Sequence, residues 1–274
     1  FDLIVGIWMP TIICAIGMLG NAISLVVLSK EHFGTQHVNR GNLLSLKALT
    51  ACDFCMLLTA LIQQVIPMAC SYSNSKSSVC LVTMGYVKLY FWPLVNALRM
   101  CSVWLTVFVS AERYSTFFNC WRPPIKLGIT LVCAFCICFN IPQFFEYTLV
   151  LKNGTDGSVR VSVEDSTLRH DVVYMTVYNM VLHCIFIYVL PLCSLLYFNI
   201  KIFHHIHSAW KRWNHLSHRQ KREFKATYIP LCIVIVFLIC ATHPLIVYIL
   251  DALYVENYPV WLVNYTGIAN LLLI

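Results

Sequence analysis

The residues whose types could carry chemistry are two acidic side chains in strongly apolar surroundings. Asp53 lies in the middle of an apolar run, and Glu112-Arg113-Tyr114 closes the next run. A carboxylate inside a membrane is costly and needs a polar partner, for which Asn21 in the first run is a candidate. Burial that keeps Asp53 neutral is the alternative. The neighbours Glu112 and Arg113 could likewise form only a local surface ion pair.

Cysteine and histidine are also frequent enough to raise the possibility of a metal or redox site. Cys52-Asp-Phe-Cys55 has the spacing of such sites, but it lies inside an apolar run, where cysteine acts as a small apolar residue. The histidines of 204–218 form no i, i+4 pair joined by a carboxylate. We therefore expect neither an enzyme nor a structural metal site.

The elements that must position these residues are membrane-spanning helices. Of the 274 residues, 59% are hydrophobic and 11% charged, whereas soluble domains carry about 25% charged residues. A span needs about 20 mostly apolar residues. Seven runs qualify: 3–29, 43–69, 84–111, 127–149, 173–203, 226–250 and 258–274. We predict an all-α membrane protein, a seven-transmembrane helix bundle forming one domain over 1–274. We expect this domain to be a fragment that lacks the N-terminal tail, the end of helix 7 and the C-terminal tail.

The links between the runs alternate in charge, which predicts the orientation. Lys and Arg concentrate in the links 113–126 and 201–225, and short basic links stay cytoplasmic. The N-terminus is then outside, in a multi-pass protein of the plasma membrane. Asn153-Gly-Thr155 is a glycosylation acceptor in the link 150–172, which this rule places outside. The net charge of +7 arises from the basic cytoplasmic links, which are expected to face the surface of the lipid bilayer. We therefore expect no nucleic-acid partner.

The order of these motifs resembles the rhodopsin-like G-protein-coupled receptors. It consists of Gly20-Asn21, then Asp53 within Leu49-Thr-Ala-Cys-Asp53, then Glu112-Arg113-Tyr114, with Pro191 and Pro244 where the family keeps prolines in its fifth and sixth helices. The resemblance implies an extracellular ligand and a heterotrimeric G protein as partners. It implies that Arg113 is restrained at rest and released to contact the G protein. It also implies that Asn21 and Asp53 line a water cavity with possible Na+, and no other cofactor.

Departures from the family pattern narrow the subfamily. Thr242 stands where many relatives have Trp, and Val95 stands where amine receptors need Asp, so a small-amine ligand is not expected. Most relatives tie the third helix to the following outer loop with a disulfide, but residues 147–183 contain no Cys. Cys70 and Cys80 could close a shorter outer loop instead, or could remain free thiols.

Two stretches resemble a narrower group, the invertebrate FMRFamide-type neuropeptide receptors. They are Phe139-Asn-Ile-Pro-Gln-Phe-Phe-Glu146 and the stretch from Pro93 to Thr106. The group implies an amidated peptide that ends in Arg-Phe, whose cation suits a carboxylate and whose ring suits aromatic side chains. The candidate ligand residues are Arg99, Glu146, Asp251, Trp92, Tyr178, His243 and Tyr248. If Arg99 takes Asp251 as its partner, Glu146 remains for the ligand, although Glu146 could equally only cap the bundle.

Two rival functions remain open. One is a chemosensory or orphan seven-helix receptor for a small molecule. The other is a membrane transporter, although transporters tend to show repeated halves and no internal repeat is visible. A retinal pigment is disfavoured because residues 226–274 contain no Lys for a Schiff base.

Overall fold

The computed structural model describes residues 8–30, 40–72, 78–118, 124–153 and 159–210. Within them, five helices are long and apolar enough to cross a membrane: Met9–Lys30, Leu43–Pro67, Val82–Thr116, Ile125–Phe145 and Tyr174–His205. We refer to them as the first to fifth spans. They confirm the first five predicted runs. The predicted sixth and seventh runs lie outside the described residues, and so do Pro244, Asp251, His243 and Tyr248.

The spans are built mainly from α-helix and contain π-helical and 3-10 segments at a few places. The α-helices are Met9–Lys30, Arg40–Tyr72, Ser78–Tyr86, Trp92–Phe118, Ile125–Asn140, the short Thr167–His170, and Leu190–Trp210. A π-helical turn, Val87–Phe91, joins the two helices of the third span, and the 3-10 turn Ile141–Phe145 ends the fourth span. The fifth span opens with the π-helical stretches Tyr174–Leu182 and Cys184–Val189. Helical backbone satisfies its own hydrogen bonds, as a chain in lipid requires.

The third span is the packing centre of the described helices. Its residues Val95, Met100 and Leu105 are 2%, 0% and 1% exposed. The indole of Trp104 donates a 3.0 Å hydrogen bond to the carbonyl of Phe186, which ties the third span to the fifth. Gly128 lets the fourth span approach closely, because a Cβ there would lie 2.5 Å from the ring of Phe108.

The first span packs on the second along one narrow face. Cys14 is fully buried against Met56 and Leu57. Most of its large apolar side chains point away from the protein, with Ile16 and Leu19 67% and 63% exposed. Such a surface is suited to lipid contact rather than to water.

A two-stranded antiparallel hairpin lies between the fourth and fifth spans. Its strands are β1, Tyr147–Asn153, and β2, Val159–Asp165, paired from Tyr147 with Asp165 to Asn153 with Val159. The prediction that the fourth span runs to residue 149 is therefore wrong, because its helical part ends at Phe145. Apolar and polar residues alternate in β2, and this period of two favours a strand over a helix.

The hairpin is attached to the beginning of the third span by an aromatic side chain. The ring of Tyr147, 8% exposed, has Lys88 Nζ at 5.0 Å and Arg169 Cζ at 4.6 Å from its centroid. Arg169 also pairs with Asp165 of β2 at 3.7 Å. Gly85 allows close approach, since a Cβ there would lie 2.8 Å from Val163. The attachment thus combines two cation–π contacts with apolar packing.

A disulfide closes the link between the second and third spans. The structure joins Cys70 to Cys80, with Cα atoms 5.8 Å apart. The bridge connects the end of the helix Arg40–Tyr72 to the beginning of the helix Ser78–Tyr86. It therefore lies on the second and third spans and leaves the hairpin free of covalent attachment to them.

Candidate functional site

Asp53 lies half-buried between the second and third spans, where it accepts a hydrogen bond from the hydroxyl of Ser102. The sequence interpretation named Asn21 as its partner, but the described residues show no hydrogen bond between Asn21 and Asp53. Ser102 was missed, although it lies in the same run as Arg113 and could have been found by pairing the polar residues of neighbouring runs. A carboxylate beside a hydroxyl offers oxygen ligands, which suit a hard cation.

The end of the third span that carries Glu112-Arg113-Tyr114 is tied to two neighbours. Ser45 of the second span, 0% exposed, donates its hydroxyl hydrogen to Glu112 Oε2. Two residues further on, the ring of Tyr114 lies 5.5 Å from that of Phe198 in the fifth span, measured between centroids. Arg113, which lies between them in the sequence, is half-buried. Glu112 and Tyr114 therefore connect the third span to the second and the fifth within one helical turn.

A buried chain of polar side chains links the third, fourth and fifth spans. Asn96 Nδ2 donates to Gln143 Oε1 at 3.0 Å, and Gln143 Nε2 lies 2.8 Å from His183 Nε2. Because Gln143 Nε2 can only donate, His183 Nε2 accepts and the ring proton lies on Nδ1. That proton faces the carbonyl of Tyr178 at 3.3 Å. The sequence interpretation missed Asn96, Gln143 and His183, because isolated polar residues in apolar runs carry no pattern.

Glu146 lies inside the joint between the fourth span, the fifth span and the hairpin. It is 4% exposed, and its Oε1 accepts hydrogen bonds from Tyr174 Oη at 2.8 Å and Asn179 Nδ2 at 3.0 Å. Its carbonyl accepts from the amide of Ser166 at 2.9 Å. The carboxylate is therefore turned towards the protein interior, as in the alternative in which it caps the bundle.

The other predicted ligand residues within the described part are dispersed. Tyr178 is close to Glu146 because its ring stacks on Tyr174 at 4.9 Å, and its hydroxyl donates to the carbonyl of Phe139. Trp92 is 43% exposed on the outer half of the third span. Arg99 lies deeper, at the midpoint of the span Val82–Thr116, and interacts electrostatically with Tyr188 of the fifth span. These predicted ligand residues therefore lie at three different depths in the bundle.

The cysteine motif does not form a site. Cys52 packs against the buried pair Cys101 and Cys136, whereas Cys55 is exposed on the outside of the second span. Across the described ranges, no group of His, Cys, Asp and Glu is arranged to hold a metal ion. The apolar reading of Cys52 fits this packing.

Two curated relatives are similar to this chain over most of its length. The "FMRFamide receptor" of Drosophila melanogaster is 26% identical over 252 residues, which cover 89% of this chain and 45% of the relative. The "FMRFamide peptide receptor frpr-18" of Caenorhabditis elegans is 24% identical over 250 residues, covering 89% of this chain and 56% of the relative. The chain therefore spans about half the length of the curated relatives it matches.

The family comparison covers nearly the whole chain. Residues 8–273 match the family described as "Serpentine type 7TM GPCR chemoreceptor Srw". The match extends the bundle beyond the five described spans to seven, in agreement with the seven predicted runs. It also agrees with the expectation that the protein is a receptor and not an enzyme. Five apolar spans and a match over residues 8–273 together show that this chain belongs to the serpentine seven-transmembrane G-protein-coupled receptor family Srw.

Proposed function

We propose that this protein is a rhodopsin-like receptor of the plasma membrane that binds an amidated neuropeptide of the FMRFamide type and activates a heterotrimeric G protein. The observation that carries the proposal is the similarity to two receptors named for FMRFamide over 89% of the chain. The stretches 93–106 and 139–146, which resemble such receptors, agree with it.

The proposed orientation has the N-terminus outside. Its support is the charge of the links, since the basic link 113–126 lies at the same end of the bundle as the motif Glu112-Arg113-Tyr114. The acidic hairpin, with Glu164 and Asp165 in β2, then lies outside, beside the entrance for the ligand.

For the arginine of the peptide, we propose Asp251 as the partner. Glu146 already accepts hydrogen bonds from Tyr174 and Asn179 and is 4% exposed, so a guanidinium would have to displace both donors to reach it. Asp251 directly follows the predicted sixth span at its outer end and lies outside the described residues. A bidentate pair between carboxylate and guanidinium supplies both charge and geometry. His243 and Tyr248 precede Asp251 in the same run and are proposed to line the space for the aromatic ring.

The proposed test measures nucleotide exchange in cells that express the full-length receptor. Phe-Met-Arg-Phe-amide should activate the wild type, and Asp251→Asn should weaken its potency on the order of 30-fold, as expected for a desolvated charge pair that loses one partner. Glu146→Gln is the matched control, which should lower surface expression more than potency. Inactivity of all amidated peptides on a well-expressed wild type would rule out the peptide ligand.

A second candidate function follows from the family description, which names chemoreceptors. In that case a small molecule would occupy the same bundle. Small odorants that activate the wild type, together with silence towards amidated peptides, would favour this candidate over the neuropeptide receptor.

We also propose that Na+ binds between Asp53 and Ser102. The carboxylate and the hydroxyl supply two oxygen ligands of the kind that Na+ accepts. The ion would favour one helix arrangement over another and so bias ligand affinity.

A further inference from the structure

Arg99 is a charged side chain at the midpoint of the third span, Val82–Thr116. Its guanidinium remains protonated in proteins. A cation at this depth is costly and is expected to face the interior or a water-filled cavity and to pair with an anion. Its Nε atom is buried without a hydrogen-bond partner, and within the described part of the chain no carboxylate pairs with it. The charge therefore lacks an anionic partner among these residues.

The carboxylates of the described spans are turned towards other donors. Asp53 accepts from Ser102, and Glu112 accepts from Ser45. Glu146 accepts from Tyr174 and Asn179. Each of these acids is thus held by hydroxyl or amide groups of neighbouring helices, and Asp53 is held by Ser102 less than one helical turn from Arg99 along the third span.

The remaining spans add no acid at the depth of Arg99. The predicted sixth and seventh runs, 226–250 and 258–274, contain neither Asp nor Glu. Asp251 follows the sixth run at its outer end, about half a membrane thickness, on the order of 15 Å, from the midplane. The predicted spans therefore offer Arg99 no acid at its own depth, and the suggested pairing with Asp251 lies outside the described residues.

Arg99 is not fully sealed within the packed core. Its side chain is only half-buried although the adjacent Met100 is fully buried, and Tyr188 of the fifth span beside it is half-buried as well. We propose that Arg99 is the binding site for an acidic group of the ligand, a carboxylate that reaches the middle of the third span beside Tyr188. Tyr188 flanks this site with a hydroxyl that can donate to the same carboxylate. The inference rests on the proposed receptor function and adds a preferred acidic group to its ligand.

The first experiment needs no ligand. It measures the melting temperature of the purified full-length receptor with Arg99→Met and, as a matched control, with Lys126→Met, whose side chain is exposed at the start of the fourth span. Removing an unpaired buried charge should raise the melting temperature by about 3 °C or more, while the control stays unchanged. A fall in melting temperature for Arg99→Met would mean that the protein itself supplies an anion, and would overturn the inference.

The second experiment tests the acid directly with matched ligands. Asp-Phe-Met-Arg-Phe-amide is compared with Asn-Phe-Met-Arg-Phe-amide, and small carboxylic acids are compared with their uncharged amides. Wild type should prefer the acidic member of a pair by on the order of 30-fold, and Arg99→Gln should abolish the preference while keeping the response to the neutral member. Arg99→Lys should retain part of it, because a point charge replaces a bidentate fork.

The outcomes separate this inference from the proposed function. If the peptides activate wild type without regard to acid, the neuropeptide function stands and the role of Arg99 is refuted. If only small acids activate, and Arg99→Gln loses that response, the role of Arg99 stands and the peptide ligand is refuted. A wild type that responds only to neutral or cationic compounds refutes the role of Arg99.

Discussion

Gln143 is the middle residue of the polar chain formed by Asn96, Gln143 and His183, and its position leads to a prediction about stability. Gln143, 4% exposed, receives a hydrogen bond from Asn96 at 3.0 Å and donates one to His183 at 2.8 Å. Gln143→Leu keeps the volume approximately constant but removes both bonds, which leaves the half-buried amide of Asn96 and the buried Nε2 atom of His183 without these partners. We expect a clear loss of stability, because the third, fourth and fifth spans all meet at this side chain.

The magnitude follows from the setting of the two bonds. Hydrogen bonds between membrane helices contribute on average about 0.6 kcal/mol each, which gives about 1.2 kcal/mol for the pair. The ring nitrogen of His183, which is 8% exposed, adds to this, since an orphaned buried group costs about 1–3 kcal/mol. We therefore expect a total of about 2–4 kcal/mol, or roughly 4–16 °C in melting temperature.

The assay is thermal unfolding of purified receptor, extended to a double-mutant cycle. Asn96→Leu alone should destabilise, but Asn96→Leu combined with Gln143→Leu should cost less than the sum of the two, because the orphaned amide is removed. Thr130→Ala, at an exposed position of the fourth span, is the control. Additive losses, or a melting temperature of Gln143→Leu equal to that of the wild type, would refute the reasoning.

Three further predictions concern signalling, sodium and the hairpin. Arg113→Ala should abolish ligand-stimulated nucleotide exchange while surface expression stays measurable, because Arg113 lies between the Ser45 and Tyr114 contacts; normal exchange would contradict its role in activation. Asp53→Asn should remove any effect of Na+ on ligand affinity, measured by competition binding with and without NaCl, because it removes the anionic ligand; a persisting Na+ effect would place the ion elsewhere. Tyr147→Phe should preserve thermal stability, whereas Tyr147→Leu should lose about 1–2 kcal/mol, because only an aromatic face holds both cations; equal losses would assign the effect to the hydroxyl.

Hydropathy located the spans well because a membrane imposes one simple condition on each of them. Any helix that crosses must be apolar for about 20 residues, so runs such as 3–29 are visible without knowledge of their neighbours. The hairpin was not predicted, although Val159, Val161 and Val163 alternate with polar residues, because the apolar stretch after Glu146 was read as a continuation of the fourth span. The length expected of a membrane span was given more weight than the two-residue alternation that is typical of a strand.

The partners inside the bundle were harder to predict than the spans. Asp53 was recognised as needing a partner, yet whether Asn21 or Ser102 supplies it depends on how the helices rotate and pack. Glu146 was seen at the end of the fourth span, but its burial depends on the hairpin, which brings Ser166 against its carbonyl. Contacts between separate spans carry no local sequence signal, so the polar chain through Gln143 became visible only in the structure.

The attachment of the hairpin has a consequence for how the outer face responds to its surroundings. Since residues 147–183 contain no Cys, reducing agents cannot release the hairpin, and opening the bridge between Cys70 and Cys80 leaves the stack of Lys88, Tyr147 and Arg169 in place. The hairpin is instead held by contacts that break and re-form without chemistry. Its position on the bundle is therefore an equilibrium property that temperature and competing cations can shift, and it changes through side-chain motion rather than through bond cleavage.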